Sequence, residues 1–172
     1  MNREIDTLII HTAATKATAD IGAVDIDKWH RARGWLGCGY HFVIRRNGTI
    51  ESDEKGNRCR PLAQAGAHVG DCGPGWNKRS IGICLAGGLD ANGKAQNNYT
   101  PEQWKSLEEL VLTLLERFPS IKTIGGHRDL IRKTGAPPKD CPCFNVKDWF
   151  EKEVKPKYTG ADAAYIQAVR YI

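Results

Sequence analysis

No run of eighteen apolar residues occurs in the 172-residue sequence, so no segment is long enough to cross a bilayer as a helix. The opening "MNREIDTLIIHTAAT" has charges, then only a short apolar run and no small-residue cleavage site. It lacks the form of a secretory signal, and synthesis and folding in a cytoplasm are expected. Dense Lys/Arg blocks and basic motifs interleaved with aromatics are missing too, which argues against specific nucleic-acid binding. There is no internal repeat and no low-complexity segment. The six cysteines (Cys38, Cys59, Cys72, Cys84, Cys141, Cys143) lack regular spacing, and a chain of this length does not need staples. No disulfide framework is expected, and most of these thiols should be reduced.

What is present fits one soluble domain with a full core: 41% hydrophobic and 26% charged residues. The net charge of +5 favours an anionic partner without naming it. Nucleic acid, anionic lipid and bacterial cell wall all fit at this level, as does a plainly solvated basic surface.

Along the chain, "DTLIIH" is expected to be a buried strand ending at His11. "VDIDKWHRARG" should be a helix burying Ile26, Trp29 and Ala32, with Gly34 as its stop. "YHFVIRRNGTIES" reads as a hairpin around Asn47-Gly48. "SIGICLA" is a further strand, with Cys84 as a small core residue. Thr100-Pro101-Glu102-Gln103 opens the clearest helix, with Thr as N-cap, Pro at the first position and Gln three residues after the cap. Its expected stripe is Trp104, Leu107, Val111, Leu114 and Phe118, and Pro119 ends it. "IKTIGGH" is another strand, ending at His127, and "VKDWFEKEV" a short helix. The fold class is therefore α/β: a single domain, a central mixed β-sheet with helices packed on its faces. Residues 1–154 form the domain, and residues 155–172 a C-terminal appendage whose apolar stripe suits docking on the domain or contact with a membrane, docking being the expectation.

His11 and His127 each fall where an expected strand ends, the place where α/β sheets gather ligands. Cys141 follows fourteen residues after His127. Two His and one Cys suit zinc, and three protein ligands would leave a position for water. Five histidines and six cysteines allow many such triples, however. His11 could be a strand-end histidine bonded to backbone, and His127 the partner of Asp129 in a turn. In "YHFVI", alternation would put Tyr40 with Phe42 and His41 with Val43. Lys139 lies two residues before Cys141, so in an extended segment both point the same way. A lysine there could stabilise an oxyanion, and a tyrosine hydroxyl could hold a water or pass a proton. The plainer readings are a solvated lysine and a half-buried sheet tyrosine.

Several segments together carry a resemblance: "LIIHTAATK", Lys28-Trp29-His30 with Gly34-Trp35, "GYHFVIRRNGTI", "SIGICLAGG", "TPEQWKSL", "GHRD" and "KDCPCFNVKDWF". In this order, over residues 5 to about 153, they resemble the zinc N-acetylmuramoyl-L-alanine amidases of the peptidoglycan-recognition-protein superfamily, in particular the short amidases of T-odd phages. The resemblance implies Zn2+ in a surface groove held by His11, His127 and Cys141, with Tyr40 and Lys139 assisting hydrolysis and His68 beside the substrate. It implies an endolysin that cuts the amide between N-acetylmuramic acid and L-alanine in peptidoglycan. Such an enzyme would be made in the host cytoplasm, reach the wall through a pore and act as a monomer. The alternatives it implies are a non-catalytic peptidoglycan-binding protein and an inhibitor of a phage RNA polymerase. His30 and His41 are expected to be structural. The chain departs from the pattern in a longer connection between His127 and Cys141, a longer segment before Trp76-Asn77, and Cys143 where a small residue is usual.

Overall fold

The first apolar run forms strand β1 (Thr7–Thr12), every residue of which is buried. The computed structural model describes residues 3–172. The remaining strands are β2 (Thr15–Lys16), β3 (Phe42–Ile44), β4 (Ile50–Ser52), β5 (Ser80–Leu85), β6 (Gly88–Leu89), β7 (Thr123–Gly126) and β8 (Arg170–Tyr171). Six of them make one sheet in the order β4-β3-β5-β1-β7-β8, while β2 and β6 pair separately. Within the large sheet, among the described residues, only β3 and β4 run antiparallel, joined through the expected Asn47-Gly48 turn, where Gly48 has φ 83°. The other pairings in the large sheet are parallel. It is the mixed sheet that the pattern of elements calls for.

The two faces of the sheet carry different side chains because alternate residues point to opposite sides. Leu8 and Ile10 of β1, Phe42 and Ile44 of β3, and Ile81, Ile83 and Leu85 of β5 share one large apolar cluster. The helices, in chain order, are α1 (Ala23–Ala32), α2 (Trp76–Arg79), α3 (Pro101–Arg117), α4 (His127–Thr134), α5 (Val146–Trp149) and α6 (Ala164–Gln167). Helix α3 closes the large cluster with Leu107, Val111 and Leu114, and Trp149 and Phe150 complete it. On the opposite face Val43 and Cys84 meet Ala23 and Ile26 of α1. Ile9 meets Leu130 and Ile131 of α4 there.

Helices α1 and α3 differ in detail from their expected stripes; in α3 Leu110 and Leu115 are buried, whereas Trp104 and Phe118 are only partly buried. In α1 Ile26 is buried, but Trp29 is 39% exposed, and Ala23, Asp27 and His30 turn inward instead. The polar pair earns its burial by holding the following loop. Asp27 accepts the Cys38 N–H at 3.0 Å and pairs with Arg31 and Arg58, and His30 Nδ1 accepts the Gly39 N–H at 3.0 Å. Helix α4 was not expected at all. Only Leu130 and Ile131 mark its apolar face, and its ends are set by Asp129 accepting the Gly126 N–H and by Gly135 with φ 74°. At the end of the chain, α5 winds on through a π-helical turn, Phe150–Val154. The segment after it docks: Ile166 and Val169 are buried, and β8 adds a parallel edge strand to β7. Among the described residues no helix is long and apolar enough to cross a membrane.

Helix α3 begins as its sequence dictates. Thr100 accepts the Gln103 N–H, Gln103 Oε1 accepts the Thr100 N–H, and Pro101 occupies the first turn. Gln103 is wholly buried and does more than cap. Its Nε2 donates to the carbonyls of Ala86 (2.8 Å) and Ile44 (3.2 Å), tying α3 to the chain ends of β5 and β3. Gln103→Leu should therefore lower unfolding free energy by about 2–3 kcal/mol in urea titration, because buried polar groups lose their partner. A loss below about 0.5 kcal/mol would show that these carbonyls find other donors.

Candidate functional site

Because β1 and β7 are adjacent and parallel, their C-terminal ends emerge at one edge of the sheet. His11 is the penultimate residue of β1, on the same face as Ile9, and His127 follows β7 as the first residue of α4. Their ring centroids are 4.8 Å apart. Cys141 arrives from the irregular connection after α4, with its Sγ 3.7 Å from His11 Nδ1. The Thr12 N–H donates to that sulfur at 3.3 Å. The Arg128 N–H donates to the Cys141 carbonyl at 2.7 Å, and the Tyr99 hydroxyl to the Pro142 carbonyl at 2.7 Å. The Cys141–Pro142 peptide is cis. One donor atom from each of His11, His127 and Cys141 lies within 4.8 Å of the others, and all three residues are buried.

Hydrogen bonds decide which ring nitrogens are free. The Ser80 hydroxyl donates to the Trp76 carbonyl at 2.6 Å, so toward His68 Nε2, 3.3 Å away, it acts as acceptor. His68 then carries its proton on Nε2, and its Nδ1 accepts from His11 Nε2 at 2.9 Å. That leaves a lone pair on His11 Nδ1, facing Cys141. His127 Nε2 lies 2.9 Å from a carboxylate oxygen of Asp71, so it donates there and Nδ1 is the bare nitrogen. Two bare imidazole nitrogens and a thiol are a donor set that fits zinc, whose tetrahedral bonds of about 2.0–2.3 Å put ligand atoms roughly 3.3–3.8 Å apart.

The electrostatics agree with neutral ligands. Burial holds His11 and His68 well below the ordinary histidine range. Burial also lowers His127, against the opposing pull of Asp71. Burial raises the Cys141 thiol to about 12 although the Thr12 N–H favours its thiolate, so a cation entering here must displace a proton. For Asp71, burial works against the charge, but hydrogen bonds from Lys139 and His127 bring its pKa down to about 2.

Tyr40, His68, Asp71, His127, Lys139 and Cys141 line a groove of about 950 Å³, and His11 is buried beside them. Trp35 (42% exposed) and Leu36 (86% exposed) form an apolar lip. Lys139 and Cys141 reach the same space, as their two-residue spacing suggests. Tyr40 is half-buried, its ring 5.1 Å from that of His11, and burial followed by neighbouring thiols pushes its pKa well above the usual phenol value. It sides with Val43 rather than with Phe42, because β3 begins only at Phe42 and alternation does not extend back to residue 40. His127 pairs with Asp71, not with Asp129, which instead caps α4. His41 lies off the groove, donating from Nε2 to the Gln64 carbonyl and accepting the Gly82 N–H at Nδ1. Cys143 lines the groove as a free thiol, and all six cysteines are free.

Several contributors carried no signal of their own in the sequence. Asp71 sits in a glycine-rich stretch without periodicity, in a single 3-10 turn, Gly70–Cys72. Gly82 is needed because a Cβ there would lie 2.7 Å from the His68 ring. Only the alternation of "SIGICL", small on one face and large on the other, hints at that slot.

Comparison with known proteins places the chain in one family. The family model described as N-acetylmuramoyl-L-alanine amidase matches residues 1–144. The chain is similar to the endolysin of Klebsiella phage KP32, at 39% identity over 87% of this chain and 88% of that protein. It is similar to the endolysin of Escherichia phage T7, at 38% identity over 86% of each. Among solved structures it resembles the N-acetylmuramoyl-L-alanine amidase LysC of Clostridium intestinale, with 30% identity, a TM-score of 0.66, and coverage of 91% of this chain and 86% of that one.

The buried histidines give the metal-free protein a defined acid response. His41, pushed down to about 3 chiefly by burial and then by Arg3, is neutral in the fold, as are His11 and His68. Unfolded histidines titrate near about 6.5. Above that pH both states are neutral and these groups contribute no pH dependence. Below it the unfolded chain takes up protons that the folded chain refuses, so stability falls, and the His41 share goes on falling toward pH about 3. Thermal unfolding in chelator should show a midpoint that drops steadily below about pH 6.5. A midpoint level from pH 7 to 5 would mean that these rings are charged in the fold.

Proposed function

The chain belongs to the N-acetylmuramoyl-L-alanine amidase family, and from that membership we propose how its groove works. The protein is a peptidoglycan amidase of the endolysin type, hydrolysing the amide between N-acetylmuramic acid and the L-alanine of the stem peptide. One observation carries the chemistry proposed for it: His11 and His127, at the ends of neighbouring parallel strands, converge with Cys141, and His127 and Cys141 line an open groove beside the buried His11, with both Nδ1 atoms bare. These three residues would hold zinc. When bound, zinc lowers the pKa of a water molecule toward neutrality and polarises a carbonyl.

The chain's own side chains account for the rest. Lys139, half-exposed at the groove edge, places an ammonium where the scissile carbonyl oxygen gains negative charge. Tyr40 keeps its proton at neutral pH and so acts as a donor. Its hydroxyl positions the attacking water and relays that water's proton to the departing amine nitrogen as the C–N bond breaks, so that the tyrosine ends the step protonated. Both nitrogens of His68 are engaged by His11 and Ser80, so its contact with substrate is through the ring edge that lines the groove. Trp35 and Leu36 offer an apolar lip, and Arg33 and Arg60 line the same groove, where cations suit an acidic wall polymer.

The proposal includes synthesis in the host cytoplasm and access to the wall through a pore made by another protein. Inhibition of a phage RNA polymerase remains a separate proposal, tested by pull-down with a phage-type polymerase. The amidase reading takes precedence because the groove supplies its residues.

Mass spectrometry of the products released from purified peptidoglycan tests the function. Free stem peptides beginning with L-alanine, absent when zinc is chelated, are expected, whereas disaccharides or cut cross-bridges would refute the bond assignment. Tyr40→Phe should bind zinc as before and lose at least about tenfold in turnover, the lower end of what proton transfer usually contributes. Unchanged turnover would remove Tyr40 from the mechanism.

A further inference from the structure

The side chain that links the metal-ligand set to the groove lysine is Asp71. One carboxylate oxygen lies 2.9 Å from His127 Nε2, and the other 2.5 Å from Lys139 Nζ. The acid is not a loosely held surface group. On either side of it Val69 and Cys72 are buried in the cluster that also contains Ile9, Leu130 and Ile131. Asn77 Oδ1 accepts the N–H groups of His68 and Val69, at 2.9 and 3.1 Å, and the Cys72 N–H donates to the Val69 carbonyl at 3.0 Å. The turn that presents Asp71 is thus fixed on both flanks, and its carboxylate is aimed between two groups that cannot otherwise be fixed. His127 could adopt either tautomer, and Lys139 is on a long flexible stem.

We infer that Asp71 is a positioning residue: one oxygen holds the Nε2–H of His127 so that Nδ1 is bare and turned to the metal set, and the other holds Lys139 at the groove edge. The inference rests on the zinc reading above. A carboxylate behind a metal-binding histidine fixes ring orientation and raises ligand basicity, and its loss typically weakens metal binding about 10–100-fold. Here the same carboxylate has a second task. It sets the distance between the metal-ligand set and the cation that meets the developing oxyanion.

A rival arrangement exists, since Asp71, Cys72 and His127 also bring one donor atom each within 4.8 Å of one another. It would use His127 Nε2, which lies 2.9 Å from the Asp71 carboxylate. It would also put a divalent cation against the Lys139 ammonium, which already occupies the carboxylate. Like-charge repulsion and the lost ion pair disfavour that use.

The test uses the full chain stripped of metal, with zinc itself as probe, titrated against a chromophoric chelator. Wild type should bind one zinc, Asp71→Ala about 10–100-fold more weakly, and Asp71→Glu should recover part of the loss. Nitrogen-15 NMR of the metal-free protein should show His127 as the Nε2–H tautomer in wild type and as a mixture in Asp71→Ala. In turnover, Asp71→Ala should lower kcat in an otherwise wild-type chain and add little to a Lys139→Ala chain, while still weakening zinc in both. If Asp71→Ala does not fold, Asp71→Asn against Asp71→Glu carries the comparison. The inference falls if a variant that melts like wild type binds zinc within about twofold and keeps a single His127 tautomer. It falls also if wild type binds two zinc ions and Asp71→Asn loses one, which would make Asp71 a ligand. Failure of wild type to bind zinc would overturn the zinc reading instead, and the tautomer measurement would still decide the part played by Asp71.

Discussion

His11 is a neutral imidazole buried on the face of the sheet opposite the large apolar cluster, and the groove chemistry depends on where its single proton lies. A neutral ring has one N–H to give, and His11 gives it to His68, which leaves a lone pair toward Cys141. That direction is enforced from behind. His68 can accept only because its own proton goes to Ser80, and Ser80 can accept only because its hydroxyl donates to the Trp76 carbonyl. The chain of donors runs one way, from His11 to a backbone carbonyl. In a dry interior such a chain is costly to reverse, because each reversal leaves a buried polar atom without a partner. The requirement reaches into the sheet itself. His68 lies flat against β5 only because Gly82 has no Cβ, and Gly66 clears its other side. The small residues of β5 thus serve the site while Ile81, Ile83 and Leu85, one position over, serve the core. Alternation along one strand divides the two tasks.

Local signals made much of this legible. The strand ending at His11, the Asn-Gly hairpin and the Thr-Pro-Glu-Gln helix start each depend on a few neighbouring residues, and each formed where the sequence pointed. The donor triple was also visible, because strand ends are where parallel sheets bring distant residues together. What stayed hidden depends on contacts across the chain. Helix α1 turns Asp27 and His30 inward because the loop at Cys38 and Gly39 needs their acceptors, and hydrophobic periodicity cannot show that. Helix α4 has two buried apolar residues besides His127, too few to make a stripe. Strand β8 has only two residues and exists through its pairing with β7. Tyr40 packs on the Val43 side because β3 starts only at Phe42, and strand alternation does not reach back to residue 40.

Asp71 shows the same limit in sharper form. A lone acid in "HVGDCGPGW" has no periodicity, no cap role and no cationic partner nearby in sequence. Its meaning comes from His127 and Lys139, both more than fifty residues away. The segment resembles a loose loop, being rich in glycine, yet it carries His68 and Asp71, two side chains that must be held to within a fraction of an ångström if they are to orient ligands.

The chain resolves that conflict by anchoring the segment at its ends as well as its middle. The Arg3 guanidinium, buried near the start of the described chain, donates to the carbonyls of Leu62, Lys78 and Ser80. Burial lowers its pKa to about 10, which still leaves it charged at neutral pH. One fixed cation therefore clamps both ends of the loop that runs from residue 62 to residue 80. Asn77 pins the backbone at His68 and Val69, and Val69 and Cys72 plug into the apolar cluster beneath. The positive charge at the clamp has a further effect. Together with burial it keeps His41 neutral, so that His41 can bind the Gln64 carbonyl through Nε2 and the Gly82 N–H through Nδ1. Gly82 is the residue whose missing side chain makes room for His68, so the N-terminal arginine, the neutral histidine and the glycine slot bear on one another. A glycine-rich loop built this way can hold His68 and Asp71 in place, because its flexibility in sequence is removed by contacts that sequence alone does not display.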